Sequence, residues 1–575
     1  MSNFHRHFES LESRQLLSGG ELDPTFGAGG KLIAQSVGFP IADLAVQSDG
    51  KIVAVGQRNG DFAVARLNAN GTLDASFGGG DGVLTTDFGG NEADFATTVA
   101  LQADGKILVA GTRGNQGTLG LSDNGNFAIA RYNADGTLDT SFDHDGKVSF
   151  GFHGIGGAVA NALAIMPDGR ILVAGTANTA GFTDVATNND FAVARLFSDG
   201  SLDHSFGQVT DPKTGSRNGR TTFGFGGEDE TEGANVIAIA PDGKIVLGGV
   251  GGFHTSTWAI AQLNPNGTLD KTFGTIAGHG KFHEAFPDGA NLLDLSVQPN
   301  GDIVAVGGTG ADFAVGRIKP NGQLDQTFGS GGLVRTDLGG NDEAKTIRVT
   351  REGILVAGGS SGKFALERFK TNGSLDTSFG QGGKVVTPMG NGDAVLATSL
   401  TGDGKLLAFG RSGSVARYIF ATPKVNLFSI DNTGSEQGPD DASFILTRDA
   451  VYDFTTRVFL DLSGTATFGA DYSSTLKLVN PTNGGGALAR GVTPGKRVFV
   501  DIPAGQSFVE VPITVNNDKT KENAENVKLS IFDSALYSVG TNRSSNVTIF
   551  DNDNIILRSV RRVAPELFSD SRINV

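Results

Sequence analysis

One short string constrains this chain more than any other feature. Leu-Asp-x-x-Phe occurs seven times, with its Asp at 23, 74, 139, 203, 270, 325 and 376, in steps of 51, 65, 64, 67, 55 and 51 residues. Asp-Gly-Lys-Ile marks a second place in the unit, at Asp49, Asp104, Asp168 (with Arg170), Asp242 and Asp403 (with Leu406). It degenerates to Asn300-Gly301-Asp302-Ile303 and Glu352-Gly353-Ile354. Phe-Ala-Val-Ala-Arg marks a third, at 62–66 and 191–195, with variants at Phe127–Arg131, Trp258–Gln262, Phe313–Arg317, Phe364–Arg368 and Ser414–Arg417. The three strings keep one order through all seven units. Such a repeat is a supersecondary unit that buries its apolar face only against its neighbours.

Within one unit, Ala42–Gln47, Lys51–Gly56, Asp61–Leu67 and Gly82–Asp87 alternate as strands do. Ser48-Asp49-Gly50 and Asn68-Ala69-Asn70-Gly71 are turn sequences between them, and the 85 glycines among 575 residues supply many more such turns. Four antiparallel strands repeated seven times predict a propeller. The small residues of Ala-Val-Ala and Val-Ala-Gly suit inner strands crowded at its axis. The last unit has Ala397–Leu400, Lys405–Phe409 and Ser414–Tyr418 but no fourth strand after them, so Gly30–Gln35 is expected to complete it and close the ring. An open solenoid would need atypical capping units.

Each third string ends in a cation except in the fourth unit, where Gln262 stands. Arg66 precedes Asp74 by 8 residues across one turn, a reach that permits a pair. These charges read as staples at partly buried turns, with Asp270 left beside the neutral Gln262 amide.

After Arg417 the periodicity stops. Residues 421–424 form a linker containing Pro423, and Val425–Ile430, Ser443–Arg448, Arg457–Leu462, Arg497–Ile502, Phe508–Val515, Val527–Phe532 and Val547–Phe550 predict an antiparallel sandwich. Its carboxylates sit at strand ends: Glu436, Asp471, Asp518, Glu522, Asp551 and Asp553. Carboxylates brought together cannot all stay ionised without a cation, and a hard divalent ion with roughly 6–8 oxygen ligands fits such a set, calcium better than magnesium.

The three repeated strings resemble the bacterial delta-60 repeat over about residues 19–420. Ser435-Glu436-x-Gly438, Gly464-Thr465-Ala466-Thr467-x-Gly469-x-Asp471-Tyr472, Ile502-Pro503-Ala504-Gly505, Asp518-x-x-x-Glu522-x-x-Glu525 and Val547-Thr548-Ile549-Phe550-Asp551-Asn552-Asp553 resemble the Calx-beta domain over residues 425–554. That resemblance implies a calcium-binding sandwich of the kind found in sodium–calcium exchangers and bacterial surface proteins. It also implies Glu436, Asp471, Asp518, Glu522, Asp551 and Asp553 as the metal ligands and Ca2+ as the cofactor. Asn517 and Asn552 stand where the best calcium-binding members have Asp, which lowers the charge of the set. The Gly- and Pro-containing residues 473–496 make a longer insert than the family has. Phe8-Glu9-Ser10-Leu11-Glu12-Ser13-Arg14-Gln15-Leu16-Leu17 resembles the bacterial N-terminal motif Leu-Glu-Pro-Arg-x-Leu-Leu, with Ser13 in place of Pro, so residues 1–18 read as a targeting segment. Residues 555–575 read as a tail.

A net charge of −16 argues against nucleic acid or an anionic membrane as partner. Cys 0 removes disulfides, thiolate nucleophiles and Cys-ligated metals. Gly358-Gly359-Ser360-Ser361-Gly362 fits Gly-x-Ser-x-Gly but joins two strands and opens no helix. His279 and His283 read as surface residues, and Asp143-His144-Asp145-Gly146 reads as a variant repeat turn. The expected architecture is therefore all-β: a seven-bladed β-propeller followed by an immunoglobulin-like β-sandwich. The expected function is non-enzymatic, that of a monomeric, exported bacterial surface or matrix protein. It would meet a protein or glycan at the cell surface and use no transmembrane helix. The alternative is a propeller enzyme, a lyase or glycan hydrolase, with its site in the central channel.

Overall fold

The repeats begin in their turns. In Asp-Gly-Lys-Ile the Asp carboxylate accepts the amide two residues on, from Asp49 to Lys51 (3.1 Å), Asp104 to Lys106 (3.2 Å), Asp168 to Arg170 (3.1 Å) and Asp242 to Lys244 (3.1 Å). The glycine between them takes a left-handed conformation, with φ 84° at Gly50 and 86° at Gly105. Each turn thus returns the chain antiparallel to itself.

A computed structural model of the chain describes residues 19–550 except 25, 34–36, 48, 91, 115–124, 153–156, 180–188, 212, 214, 227–231, 252–256, 275–278, 285–290, 309–311, 351, 391, 402–403, 421–422, 437–439, 450–454, 479–496, 504, 518–522 and 533–536. The N-terminal motif, Asp403, Asp518, Glu522, Asp551, Asp553, Gly438, the first half of the linker, most of the insert and the tail lie outside the described residues. Among the described residues there are strands and turns but no helix. The chain divides into two compact units, Met1–Ala421 and Thr422–Val575.

The first unit holds seven four-stranded antiparallel sheets among the described residues. The first is Ile41–Val46, Ile52–Arg58, Asp61–Leu67 and Val83–Thr86, within two residues of the predicted bounds. Lys31–Ile33 pairs with Ser414–Ala416, so the N-terminal strand completes the last sheet as expected. Each first strand lies against the first strand of the next sheet, and Val395–Leu400 lies against Ile41–Val46. The apolar core is divided accordingly. One cluster joins Val53, Val55 and Phe62 to Ile107, Val109 and Tyr132 of the next sheet, and another joins Leu407, Phe409 and Val415 of the last sheet to Ile41 and Ile52 of the first. Second and third strands are buried on both faces, which is why their alternation is weak.

The small residues serve a different contact from the one expected. They lie on the second and third strands, and the tightest approach is to a β-bulge that every first strand carries, as between Ile41 and Asp43 or Ala96 and Thr98. A Cβ on Gly111 would meet the Phe95 carbonyl at 1.9 Å, and one on Gly56 the Pro40 carbonyl at 2.1 Å. The residue set free by the bulge reaches the next sheet: Thr97 Oγ1 donates to Ala160 O (2.6 Å), Asn161 Nδ2 to Ala234 O (2.9 Å) and Asn235 Nδ2 to Leu292 O (2.8 Å).

The second unit contains a five-stranded and a six-stranded sheet sharing one apolar core. All the strands predicted there form, and Thr433–Ser435, Tyr472–Ser474, Lys477–Leu478 and Ser538–Val539 add to them. These are too short for alternation to reveal. Lys424–Asp431 pairs in one sheet, and the chain then crosses so that Thr433–Ser435 runs parallel to Ser544–Phe550 in the other.

Candidate metal centres

At one end of the second unit, several strand termini that carry the predicted ligands come together. Ser435 pairs with Phe550, and the Glu436 amide donates to the Phe550 carbonyl (3.2 Å), so Glu436 starts where the chain toward Asp551 leaves the sheet. Tyr472 pairs with Val515, and the Asn516 amide donates to the Asp471 carbonyl (2.9 Å), which sets Asp471 beside the chain leading to Asp518. The two pairs meet. Asp441 Oδ1 accepts the Val515 amide (3.0 Å), the Ser435 amide donates to Asp440 O (3.0 Å), and a Cβ on Gly434 would touch the Val515 side chain at 2.6 Å. Glu436 is 4% exposed and Asp471 5%. Asp471 Oδ2 accepts the Thr467 amide. Burial and then the Asp471 charge push the Tyr472 hydroxyl up. Oxygen donors held this far from water suit a hard cation.

The repeated charges of the first unit are consumed internally. Nε of Arg66, Arg131, Arg195, Arg317 and Arg368 each lies 2.7 Å from Oδ2 of Asp74, Asp139, Asp203, Asp325 and Asp376, and Arg417 reaches Asp23 across the closure at 2.9 Å. Each guanidinium also stacks on its Phe, 4.6 Å from the Phe77 ring in the first unit. It donates to a turn carbonyl of the next sheet as well, such as Ala134 or Ser198. Burial alone would raise Asp325. The Thr327 hydroxyl and amide together with Arg317 outweigh it and hold the carboxyl at about 2.

The fourth unit differs from the expectation. Asp270 is paired, not left to an amide: Lys244 of Asp-Gly-Lys-Ile approaches it at 2.9 Å, while Gln262 Oε1 is buried without a donor. The same lysine position serves other units, with Lys51 3.0 Å from Asp74 and Lys106 2.8 Å from Asp139. That second cation comes from another turn, so its partnership was invisible in a string read by itself. His283 is not a surface residue either. It is half-buried and shares a hydrogen bond with Thr257 Oγ1 at 2.7 Å.

Among the described residues, the triads of mutually close carboxylates are Asp61, Asp87, Asp94 and Asp312, Asp337, Asp342. Sequence reasoning passed over both. The available signal was Thr86-Asp87-Phe88-Gly89-Gly90-Asn91 recurring as Thr336-Asp337-Leu338-Gly339-Gly340-Asn341, in two units and not in the other five.

Residues 47–77, 102–142, 167–206, 240–273, 298–328 and 353–379 match a family described as a domain of unknown function (DUF5122) beta-propeller. These stretches fall in successive sheets and each ends at the Phe of Leu-Asp-x-x-Phe. No curated protein matches the chain. Among solved structures, the chain is similar to the calcium binding domain CBD12 of CALX1.1, with 17% identity over 22% of this chain and 45% of that one and a TM-score of 0.17. It therefore spans less than half the length of that structure. It is also similar to the apo-form Calx CBD1 domain, with 17% identity over 23% of this chain and 99% of that one and a TM-score of 0.16. The WD40 beta propeller domain of Doa1 is similar at 13% identity over 68% of this chain and 96% of that one, with a TM-score of 0.37.

Proposed function

We propose that the chain is a non-enzymatic, exported surface or matrix protein. A closed seven-bladed propeller of delta-60 type offers an interaction face to a protein or glycan, and an immunoglobulin-like Calx-beta sandwich binds calcium as an adhesion or spacer unit. The observation that carries the calcium reading is the strand register at one end of the sandwich, where Ser435 opposes Phe550 and Tyr472 opposes Val515. Glu436 and Asp471, with Asp518, Glu522, Asp551 and Asp553 on the chain just beyond those strands, would hold the ion. The ion would supply the countercharge that lets the strand ends stay together.

Two features support a role without catalysis. The carboxylates and guanidinia that recur in the propeller are engaged in joining sheets, and Ser360 of the Gly-x-Ser-x-Gly string is 2% exposed at the end of a strand paired with Lys363. A cell-surface location agrees with weak calcium affinity, because calcium is plentiful outside cells.

The test is a thermal melt of the full chain with chelator and with calcium. With dissociation constants near ~10⁻⁴–10⁻³ M, about 10 mM calcium should stabilise the sandwich by about 1.4–2.7 kcal/mol per site. Asp471→Asn and Asp551→Ala should each reduce that gain. No calcium-dependent shift in the sandwich transition of the unmodified chain would remove the calcium reading.

A further inference from the structure

The two carboxylate triads occupy the same place in two junctions of the first unit. Asp61 opens the third strand of the first sheet, Asp87 follows its outer strand, and Asp94 opens the first strand of the second sheet. Asp312, Asp337 and Asp342 hold the corresponding places between the fifth and sixth sheets. In each triad, one oxygen from every residue lies within 4.8 Å of the others.

The innermost acid of each triad gives the arrangement its direction. Asp94 and Asp342 are each 1% exposed. Oδ2 of Asp94 accepts the Phe88 amide (2.8 Å), and Oδ2 of Asp342 accepts the Leu338 amide (2.6 Å). Oδ1 of both is buried with no hydrogen-bond donor. The Gly114 amide donates to the Ala93 carbonyl (3.1 Å) and lies near enough to Asp94 to favour its charged form. Asp87 and Asp337 turn Oδ1 onto the amides of Gly89 and Gly339, both at 2.6 Å.

Among the described residues, neighbouring cations make their hydrogen bonds elsewhere than to the carboxylates of the first triad, although Asp94 feels the Arg113 charge. Lys147 donates to the Asp87 backbone carbonyl (3.0 Å), and Arg113 donates to Gly89 O (3.1 Å) and Ser149 Oγ (3.4 Å). Among the described residues no ion pair reaches Asp61, Asp87 or Asp94. Burial and then the Asp87 charge push the Asp61 carboxyl up, and burial pushes Asp94 up as well, against the Phe88 and Gly114 amides and the Arg113 charge. The junction after the third sheet shows the other solution to the same problem. There Gly224 replaces the middle acid. Lys281 holds the place of Lys147 and Lys384 and likewise donates to the backbone carbonyl at that position, so it faces two acids, Asp190 and Glu232, where the triads have three.

We propose that Asp61, Asp87 and Asp94, and likewise Asp312, Asp337 and Asp342, each bind a divalent cation, calcium by preference, that clamps two neighbouring sheets of the propeller. Each triad takes two ligands from one sheet and one from the next, so a bound ion crosslinks them. Oxygens around calcium, at about 2.3–2.6 Å from the ion, lie at most about 5 Å apart, which accommodates the observed spacing. The ion would bring countercharge to three crowded carboxylates, the innermost of them buried with an oxygen short of donors, with water completing the shell. These sites are separate from the one proposed in the sandwich and do not depend on it.

The test is calorimetric titration of the chelator-treated full chain with calcium chloride. Asp94→Asn/Asp342→Asn should bind two fewer ions per chain than the unmodified protein, while Glu436→Gln/Asp471→Asn should lose only the sandwich ions. If the first variant fails to give the far-ultraviolet circular dichroism of the parent, Asp61→Asn/Asp312→Asn, on less buried ligands, carries the same count. An unchanged ion count in a folded triad variant overturns the proposal. So does a parent that loses all its binding in the Glu436→Gln/Asp471→Asn variant. Binding that survives that variant in full leaves the triads standing and removes the sandwich reading instead.

Discussion

Asp203 and Asp94 lie in the same unit and are both withdrawn from water, yet their surroundings are opposite. Asp203 faces Arg195 at 2.7 Å, Arg170 at 3.2 Å and the Ser205 hydroxyl at 2.7 Å. Asp94 faces two further carboxylates and keeps one oxygen without a donor. The first arrangement recurs around the ring with small changes, and the second occurs at two junctions. A side chain demanded by the geometry of a repeated unit should appear in every unit, with its partners. The middle acid, present as Asp87 and Asp337 in two units and absent from the other five, completes the triads and answers to something the repeat does not need. Recurrence therefore separates the charges that build the fold from those free to bind.

The largest effect is expected at the staple. Removing the Asp203 carboxylate strands Arg195, which is nearly inaccessible, while Arg170 keeps Asp168 (2.8 Å), and breaking a buried pair of this kind costs about 3–5 kcal/mol. Asp203→Ala should lower the chemical denaturation midpoint of the first unit by a corresponding amount. A loss below about 1 kcal/mol, the usual worth of an exposed pair, would mean that the staples are ornamental.

Glu367 is a buried carboxylate outside both arrangements, and its effect is smaller. It replaces the second Ala of the repeated string, is fully buried, and meets Lys384 only at 3.8 Å. Burial pushes its carboxyl up to about 7, against the pull of Lys384 and with the Asp342 charge adding to the rise. A folded-state value above the unfolded one means that its contribution to stability is complete below about pH 4.5 and is lost as pH rises through about 7. Glu367→Gln should therefore stabilise the chain at pH 8 by up to about 3 kcal/mol, with the gain fading at pH 4. Melting curves at the two pH values decide it, and a gain independent of pH would contradict the assignment.

Much of the fold was legible because it is written seven times. The turn chemistry of Asp49-Gly50-Lys51, the spacing of Arg66 to Asp74 and the missing fourth strand after Tyr418 each carry a local physical reason that survives without a structure. What escaped was the chemistry assembled across units. The bulge before Asp43 adds one residue to a six-residue strand and leaves the alternation nearly intact. Lys244 reaches Asp270 from a different turn, and Asp61, Asp87 and Asp94 come from three strands of two sheets. In the second unit, the short pieces at Thr433–Ser435 and Tyr472–Ser474 that set the candidate ligands in place are too brief for periodicity to mark.

Two isosteric substitutions, read in two ways, decide whether recurrence distinguishes structural carboxylates from ligand-binding ones. Asp203→Asn and Asp94→Asn are compared for melting temperature in chelator and for bound calcium per chain. A crossed result is expected: Asp203→Asn melts well below the parent and keeps every ion, whereas Asp94→Asn holds or raises its melting temperature in chelator and loses one ion. If both substitutions destabilise the chelated protein alike and neither changes the ion count, the distinction fails.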